Sequence, residues 1–193
     1  MRIAGDGEIL TRGPHVCKGY WRNEAATREL IDDEGWLHSG DLGRLDEDGY
    51  LHITGRKKDI IITAGGKNLA PANLENDLKQ SRWISQAVMY GDRRPFPVAI
   101  VTLDPEEILP WAKEHGLPQD VSALAEDPKV NDLVQGVLDQ ANRKYAQVEQ
   151  VKKFKILPHD LSLETGELTP TMKVKRNVVY DRYADVFEQL YAR

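Results

Sequence analysis

The pattern of apolar residues changes near Lys58, and this change constrains the fold more than any other feature of the sequence. Residues 1–57 hold short apolar runs separated by turn signals, whereas residues 58–193 alternate strand-like and helix-like segments. Short runs bounded by glycine, proline or aspartate are typical of strands, and a 3.6-residue period is typical of helices. The chain is therefore predicted to contain two parts of different architecture.

Residues 1–57 predict a meander of strands. Glu8–Thr11 is a strand candidate, and a short helix follows Asn23, a residue type that caps helices. Turns rich in aspartate and glycine, at residues 32–35 and 46–49, separate the later strands. A meander with free edges needs other segments to cover it, so we expect this part to be poorly stable alone.

Residues 58–193 predict a small α+β domain, a mixed sheet with flanking helices. Pro110 is expected to interrupt a helix, because an internal proline removes a hydrogen bond. No internal repeat is predicted along the chain. Strands are predicted at 59–63, 87–90, 98–103 and 152–157, and helices at 71–80, 105–116 and 128–145. A last helix is predicted whose one side carries Val179, Tyr183, Val186, Phe187, Leu190 and Tyr191.

Composition excludes several classes of protein. The net charge of −5 argues against non-specific binding of nucleic acid as the main role. One cysteine, Cys17, cannot form an internal disulfide, so a reducing cytoplasm is expected. The histidines show no metal-ligand spacing, which predicts no metal site. No signal peptide is evident, and no apolar run approaches the ~20 residues that cross a bilayer.

Four motifs occur in order along the chain. They are Trp36-Leu37-His38-Ser39-Gly40-Asp41, Gly55-Arg56-Lys57-Lys58-Asp59, Gly65-Gly66-Lys67-Asn68 and Leu168-Thr169-Pro170-Thr171-Met172-Lys173. The series resembles the late motifs of the adenylate-forming superfamily, in particular the acyl-CoA synthetases. The resemblance implies that residues 1–57 are the β-rich remnant of a large N-terminal adenylation domain. It also implies that residues 58–193 are the small, mobile C-terminal domain.

The first two motifs imply a nucleotide site. A carboxylate can accept hydrogen bonds from two neighbouring hydroxyls, and the 2′,3′-diol of a ribose presents such a pair. The resemblance implies that Asp41 holds the ribose of ATP or AMP. It also implies that Arg56 contacts the nucleotide, because guanidinium donors suit phosphate and ribose oxygens.

The resemblance also implies a hinge and a channel for CoA. Lys58 matches the residue about which the C-terminal domain of such enzymes rotates between two reactions, and Lys57 is the alternative. Gly65 and Gly66 lack Cβ atoms, so a ligand can pass close to the backbone. In the family this loop lines the channel for the pantetheine arm of CoA.

Lys173 matches the lysine that reaches the α-phosphate and the substrate carboxylate in the family, where it neutralises developing charge. The common motif is Pro-x-x-Gly-Lys, whereas Met172 stands here in place of the glycine. Lys175 is the competing candidate for this role.

The resemblance is strongest to the long-chain fatty acid branch, through residues 62–71 and 104–150. It implies a C-terminal fragment of a long-chain-fatty-acid–CoA ligase. Such an enzyme forms an acyl-adenylate and pyrophosphate from a fatty acid and ATP, then acyl-CoA and AMP with CoA. The resemblance implies that the phosphate loop, the Mg²⁺ ligands and the acyl pocket lie earlier in the enzyme, so the isolated chain is expected to be inactive. The full-length enzyme could contact a membrane peripherally. The alternatives are a ligase for another carboxylic acid, an adenylate-only ligase, and a non-catalytic binding module.

Overall fold

The chain divides into two units, Met1–Ile60 and Ile61–Arg193. The computed structural model describes residues 1–192. A four-stranded sheet belongs to the first unit, and a two-stranded and a three-stranded sheet with helices belong to the second. The predicted α+β class is confirmed. We predicted a hinge near Lys58, and that role stays a prediction.

The first unit is a four-stranded antiparallel sheet whose strands follow chain order. Its predicted helix is capped as expected, because the Asn23 side chain accepts a hydrogen bond from Ala26 N at 3.1 Å. The elements are β1 (Arg2–Ile3), β2 (Glu8–Thr11), α1 (Glu24–Leu30), β3 (Leu37–Leu45), β4 (Leu51–Arg56) and a 3₁₀ turn at Lys57–Asp59. The strand predicted at Glu8–Thr11 is thus confirmed.

The two predicted aspartate-glycine turns have the same geometry. Asp32 Oδ1 accepts hydrogen bonds from two backbone amides, and Asp46 Oδ1 does the same. Gly35 and Gly49 adopt φ of 80° and 84°, a region that favours glycine. Both turns belong to a seven-residue pattern, Asp-x-x-Gly-aromatic-Leu-His, that recurs 14 residues apart. The prediction of no internal repeat is therefore wrong for this short segment.

The second unit is built on a mixed sheet, as predicted. Strand Ile84–Tyr90 pairs antiparallel with Val98–Leu103, which pairs parallel with Lys153–Ile156. The elements in chain order are β5 (Ile61–Ile62), β6 (Asn68–Leu69), α2 (Pro71–Lys79), β7 (Ile84–Tyr90), β8 (Val98–Leu103), α3 (Pro105–Glu114), α4 (Val121–Ala125), α5 (Pro128–Asn142), β9 (Lys153–Ile156), α6 (Arg176–Arg182) and α7 (Ala184–Tyr191).

The core of the second unit lies on both faces of this sheet. All six residues of β8 are buried, as expected for a central strand covered on both sides. Alternate side chains point to opposite faces. Ala99 and Val101 pack in a cluster with residues of α2 to α5, and Val98 and Ile100 pack in a second cluster with residues of α6 and α7.

The first unit buries far less apolar surface. Among the described residues, Ile9 and Leu10 are its only buried apolar side chains. Trp21, Tyr50 and Ile53 are instead 87%, 71% and 66% exposed. Because burying an aliphatic or aromatic side chain contributes about 1.5–3 kcal/mol, this unit has little core of its own.

Three predictions of elements in the second part need correction. Pro110 does not interrupt α3, which continues through it. The proline removes one hydrogen bond, but the fully buried Ile108 and Ala112 hold this segment against the core. The strand predicted at 59–63 is shortened to β5 by the 3₁₀ turn before it. The last helix is divided at Tyr183, whose hydroxyl donates to the buried Glu167.

Candidate functional site

Asp41 and Arg56 lie opposite each other on neighbouring strands of the first unit. Arg56 Nε donates to Asp41 Oδ1 at 3.0 Å, and the two side chains are 57% and 30% exposed. A surface pair of this kind contributes only about 0–1 kcal/mol to stability, so its main consequence is to orient the carboxylate. The structure thus brings together two residues for which the sequence predicted separate contacts with a nucleotide.

An open pocket of about 390 Å³ lies beside this pair, within the first unit. It is lined by Ser39, Gly40, Arg56, Lys57 and Lys58. Three of these residues are cationic, which suits a ligand that carries phosphate. Gly40 adopts a φ of 71°, and a Cβ built on it would meet no atom within 4 Å. The glycine is therefore required by the backbone conformation rather than by lack of space.

Glu8 is a buried carboxylate of the first unit that the sequence predictions missed. It is 4% exposed and accepts hydrogen bonds from Gly40 N at 2.9 Å, His38 Nδ1 at 3.0 Å and Lys57 Nζ at 3.1 Å. Burial raises the pKa of Glu8, but these donors outweigh it and hold the pKa below its ordinary value. The only local trace of Glu8 is a charged residue at the start of the apolar strand β2, which does not reveal the burial of the carboxylate or its distant partners.

Lys57 is held by two carboxylates. Its Nζ lies 2.7 Å from Asp6 Oδ2 and 3.1 Å from Glu8 Oε2. The hydrogen bonds to Asp6 and Glu8 raise the pKa of Lys57, which stays protonated. Lys58, the predicted hinge, is exposed in the same 3₁₀ turn.

Gly65 and Gly66 lie in the turn between β5 and β6, in the second unit. Gly66 has a φ of 74°, and a Cβ built on it would meet no atom within 4 Å. The turn is fixed from behind, because Lys67 N donates to Thr63 Oγ1 at 3.2 Å and Ala64 N donates to Arg94 O at 2.9 Å. The backbone of the glycine pair is therefore exposed and well supported.

Lys173 projects from a tight turn of the second unit. Thr169 N donates to Lys173 O at 2.8 Å, and Lys173 N donates to Thr169 Oγ1 at 3.1 Å. Met172 adopts a φ of 58°, which a residue with a Cβ rarely adopts. A glycine, which the common motif has next to its lysine, would adopt this conformation without strain. Both Lys173 and the competing Lys175 are exposed.

Two buried carboxylates anchor the segments before and after Lys173, and the sequence predicted neither. Glu167, which is fully buried, accepts hydrogen bonds from Tyr183 OH at 2.7 Å and Arg182 Nη1 at 3.0 Å. Arg176 donates to both oxygens of Glu75, at 2.6 and 2.5 Å. Burial disfavours the charge on Arg176, but Glu75 outweighs it and raises the pKa of the guanidinium. These contacts fix the ends of the loop that carries the candidate lysine.

Residues 1–192 contain neither a cluster of metal-ligating side chains nor a helix that could cross a membrane. In that part of the chain, no three or more histidine, cysteine, aspartate or glutamate side chains are grouped so that they could hold a metal ion. None of the described helices is long and apolar enough to span a membrane.

The chain is similar to known proteins along nearly all of its length. Residues 58–193 match the family described as AMP-binding enzyme C-terminal domain. The long-chain-fatty-acid–CoA ligase FadD15 of Mycobacterium tuberculosis is 51% identical over 193 residues, which are 99% of this chain and 32% of that protein. The long-chain-fatty-acid–CoA ligase ACSBG2 of Gallus gallus is 37% identical over 207 residues, covering 97% of this chain and 27% of that protein.

A solved structure has the same fold. The adenylation domain of the carboxylic acid reductase from Segniliparus rugosus, in complex with AMP and a co-purified carboxylic acid, gives a TM-score of 0.79 at 23% identity. The match covers 96% of this chain and 28% of that one. The chain thus spans about a third or less of the length of these ligases.

Proposed function

Since the chain belongs to the family of AMP-binding enzyme C-terminal domains, we propose that it is the C-terminal third of a long-chain-fatty-acid–CoA ligase. The full-length enzyme converts a fatty acid and ATP into an acyl-adenylate and pyrophosphate. It then transfers the acyl group to CoA and releases AMP. The observation that carries this proposal is the 51% identity to a ligase of that name over 99% of the chain.

Asp41 is proposed to bind the ribose of the nucleotide. Its carboxylate is oriented by Arg56 and is partly exposed beside the cationic pocket. A carboxylate offers about four acceptor positions, so it can receive both ribose hydroxyls while it keeps its bond to arginine. Arg56 has further guanidinium donors for the nucleotide.

Lys173 is proposed to stabilise the charge that develops when the fatty acid carboxylate attacks the α-phosphate. It is exposed, and its loop is fixed at both ends, which limits the reorganisation required when it acts. Gly65 and Gly66 are proposed to line the path of the pantetheine arm of CoA. Their turn presents backbone without side chains.

The two parts of the chain are proposed to move relative to each other in the full-length ligase. Residues 1–57 would complete the large adenylation domain, and residues 58–193 would rotate about Lys58 between the two half-reactions. Magnesium would accompany the nucleotide, and we place its ligands in the part of the ligase that precedes this chain. We also propose a cytoplasmic location, with which the single free cysteine, Cys17, is compatible.

The test is acyl-CoA formation by the full-length enzyme, measured with ATP, Mg²⁺, CoA and a panel of carboxylic acids. The panel contains palmitate, a medium-chain acid, acetate and an aromatic acid. Palmitoyl-CoA is expected as the main product. A preference for another acid would identify a ligase of different specificity. Acyl-adenylate without thioester would identify an adenylate-only ligase, and nucleotide binding without turnover would identify a binding module.

A further inference from the structure

The ladder between β2 and β3 is irregular where the candidate ribose acid lies. Glu8 pairs with Leu42 and Leu10 pairs with His38. Two residues along β2 therefore span four along β3, and the extra residues belong to the segment Ser39–Asp41. Bulges of this kind redirect a side chain and are frequent beside active sites. Here the irregular segment places the Asp41 carboxylate within hydrogen-bonding distance of the Arg56 side chain.

A bulge leaves backbone groups without partners in the ladder, and the side chain of Glu8 satisfies one of them. Glu8 Oε1 accepts from Gly40 N at 2.9 Å, directly before Asp41. The other oxygen, Oε2, accepts from His38 Nδ1 and from Lys57 Nζ. One carboxylate thus joins the start of the bulge, its centre and the segment that follows β4.

A role in strand pairing alone does not explain a carboxylate at this position. The Glu8 side chain is 5% exposed, and burying an ionised group is unfavourable unless hydrogen-bonded partners compensate. Its neighbours Ile9 and Leu10 fill the same strand with apolar side chains at no such cost. The donors of Glu8 all belong to segments that line the pocket or flank it.

We propose that Glu8 is a positioning residue for nucleotide recognition: it fixes the Ser39–Asp41 bulge and thereby holds the Asp41 carboxylate where the ribose diol binds. Glu8 does not itself contact the nucleotide in this account. The inference rests on the proposed function, since it requires Asp41 to bind ribose.

The experiment compares ATP with 2′-deoxy-ATP as substrates of the full-length ligase, through kcat/KM for pyrophosphate release. Removing the 2′-hydroxyl removes one hydrogen bond to a charged group, so the unmodified enzyme is expected to prefer ATP by roughly 10- to 150-fold. Asp41→Ala is expected to abolish this preference. Glu8→Ala is expected to reduce it at least threefold. Glu8→Gln is expected to lie between, because an amide oxygen can still accept from Gly40 N.

The ratio of kcat/KM for ATP to kcat/KM for 2′-deoxy-ATP distinguishes a positioning role of Glu8 from an effect on the stability of the enzyme. A variant that merely lowers the amount of folded enzyme loses kcat/KM for both nucleotides equally and keeps the ratio. Glu24→Gln is the matched control, because the side chain of Glu24 is 89% exposed. This variant is expected to keep kcat/KM for ATP and for 2′-deoxy-ATP unchanged. An unchanged ratio in both Glu8 variants, while Asp41→Ala loses it, would overturn this inference alone. A ratio near one in the unmodified enzyme would overturn the ribose site and this inference with it.

Discussion

Replacing Arg176 by methionine should destabilise the second unit strongly. Arg176 donates to both oxygens of Glu75, which is 6% exposed and also accepts from Met89 N at 2.7 Å. The substitution removes the cation and leaves the carboxylate buried. Breaking a buried pair in this way costs about 3–5 kcal/mol. The free energy of unfolding of a typical domain is about 5–15 kcal/mol, so this loss would be a large part of it.

Urea denaturation of the chain, followed by circular dichroism of the helices, measures this effect. With a slope of about 2 kcal/mol per molar urea, the midpoint of the second unit is expected to fall by roughly 1.5–2.5 M. Arg93→Met is the matched control, because the Arg93 side chain is 93% exposed in the same unit. It is expected to change stability by less than about 0.5 kcal/mol.

The double variant Glu75→Gln with Arg176→Met tests the stated cause. Glutamine removes the buried charge and keeps an acceptor for Met89 N, so most of the lost stability should return. An uncompensated buried carboxylate is refuted as the cause if the urea midpoint of Arg176→Met equals that of the exposed control Arg93→Met. It is also refuted if the double variant is less stable than Arg176→Met alone, since the loss would then not come from an uncompensated carboxylate.

Three further predictions concern the loop, the hinge and the stability of the two units. In the full-length ligase, Lys173→Ala should slow acyl-adenylate formation by roughly a hundred- to a thousand-fold, equivalent to about 2.7–4 kcal/mol, and largely spare thioester formation from supplied adenylate. Single-turnover assays with Lys175→Ala as control check this, and an equal loss in both steps would remove the role. Lys58→Pro fixes φ near −65° and should slow one half-reaction far more than the other; equal effects on both would place the hinge elsewhere. In amide hydrogen exchange on the chain, residues 8–54 should open at lower free energy than helix α5, because they bury little apolar surface, and equal protection would contradict this.

Elements with local signals could be predicted from the sequence. Helix α2 begins at Pro71 as predicted, because proline at the first helical position needs no hydrogen-bond partner. Strand β8 was predicted with correct ends, since a continuous apolar run in a short segment predicts a buried strand. Pro110 shows the limit of local reasoning. The burial of Ile108 and Ala112 decides that α3 continues, and burial depends on segments distant in the chain.

The residues of the candidate site likewise fall into those that a local sequence motif indicates and those that it does not. Asp41, Arg56 and Lys173 could be proposed from motifs, because the residue type and its flanking sequence carry the signal. Glu8 and Glu75 could not, because their importance arises from burial and from partners 32 and 101 residues away. The pairing of Asp41 with Arg56 likewise depends on the register between β3 and β4, which includes an irregularity that no local pattern indicates.

Palmitate-dependent pyrophosphate release tests the central claim most directly, that this chain contributes essential residues to a site completed by the rest of a ligase. It is measured for the full-length enzyme, for an enzyme that ends at Ile60 and so lacks residues 61–193, and for the chain of 193 residues alone. The full-length enzyme is expected to turn over on the order of 1–10 per second. The truncated enzyme should lose at least about a hundredfold, because it lacks Lys173. The chain alone should release no pyrophosphate. Turnover by the chain alone, or full activity of the truncated enzyme, would contradict the account.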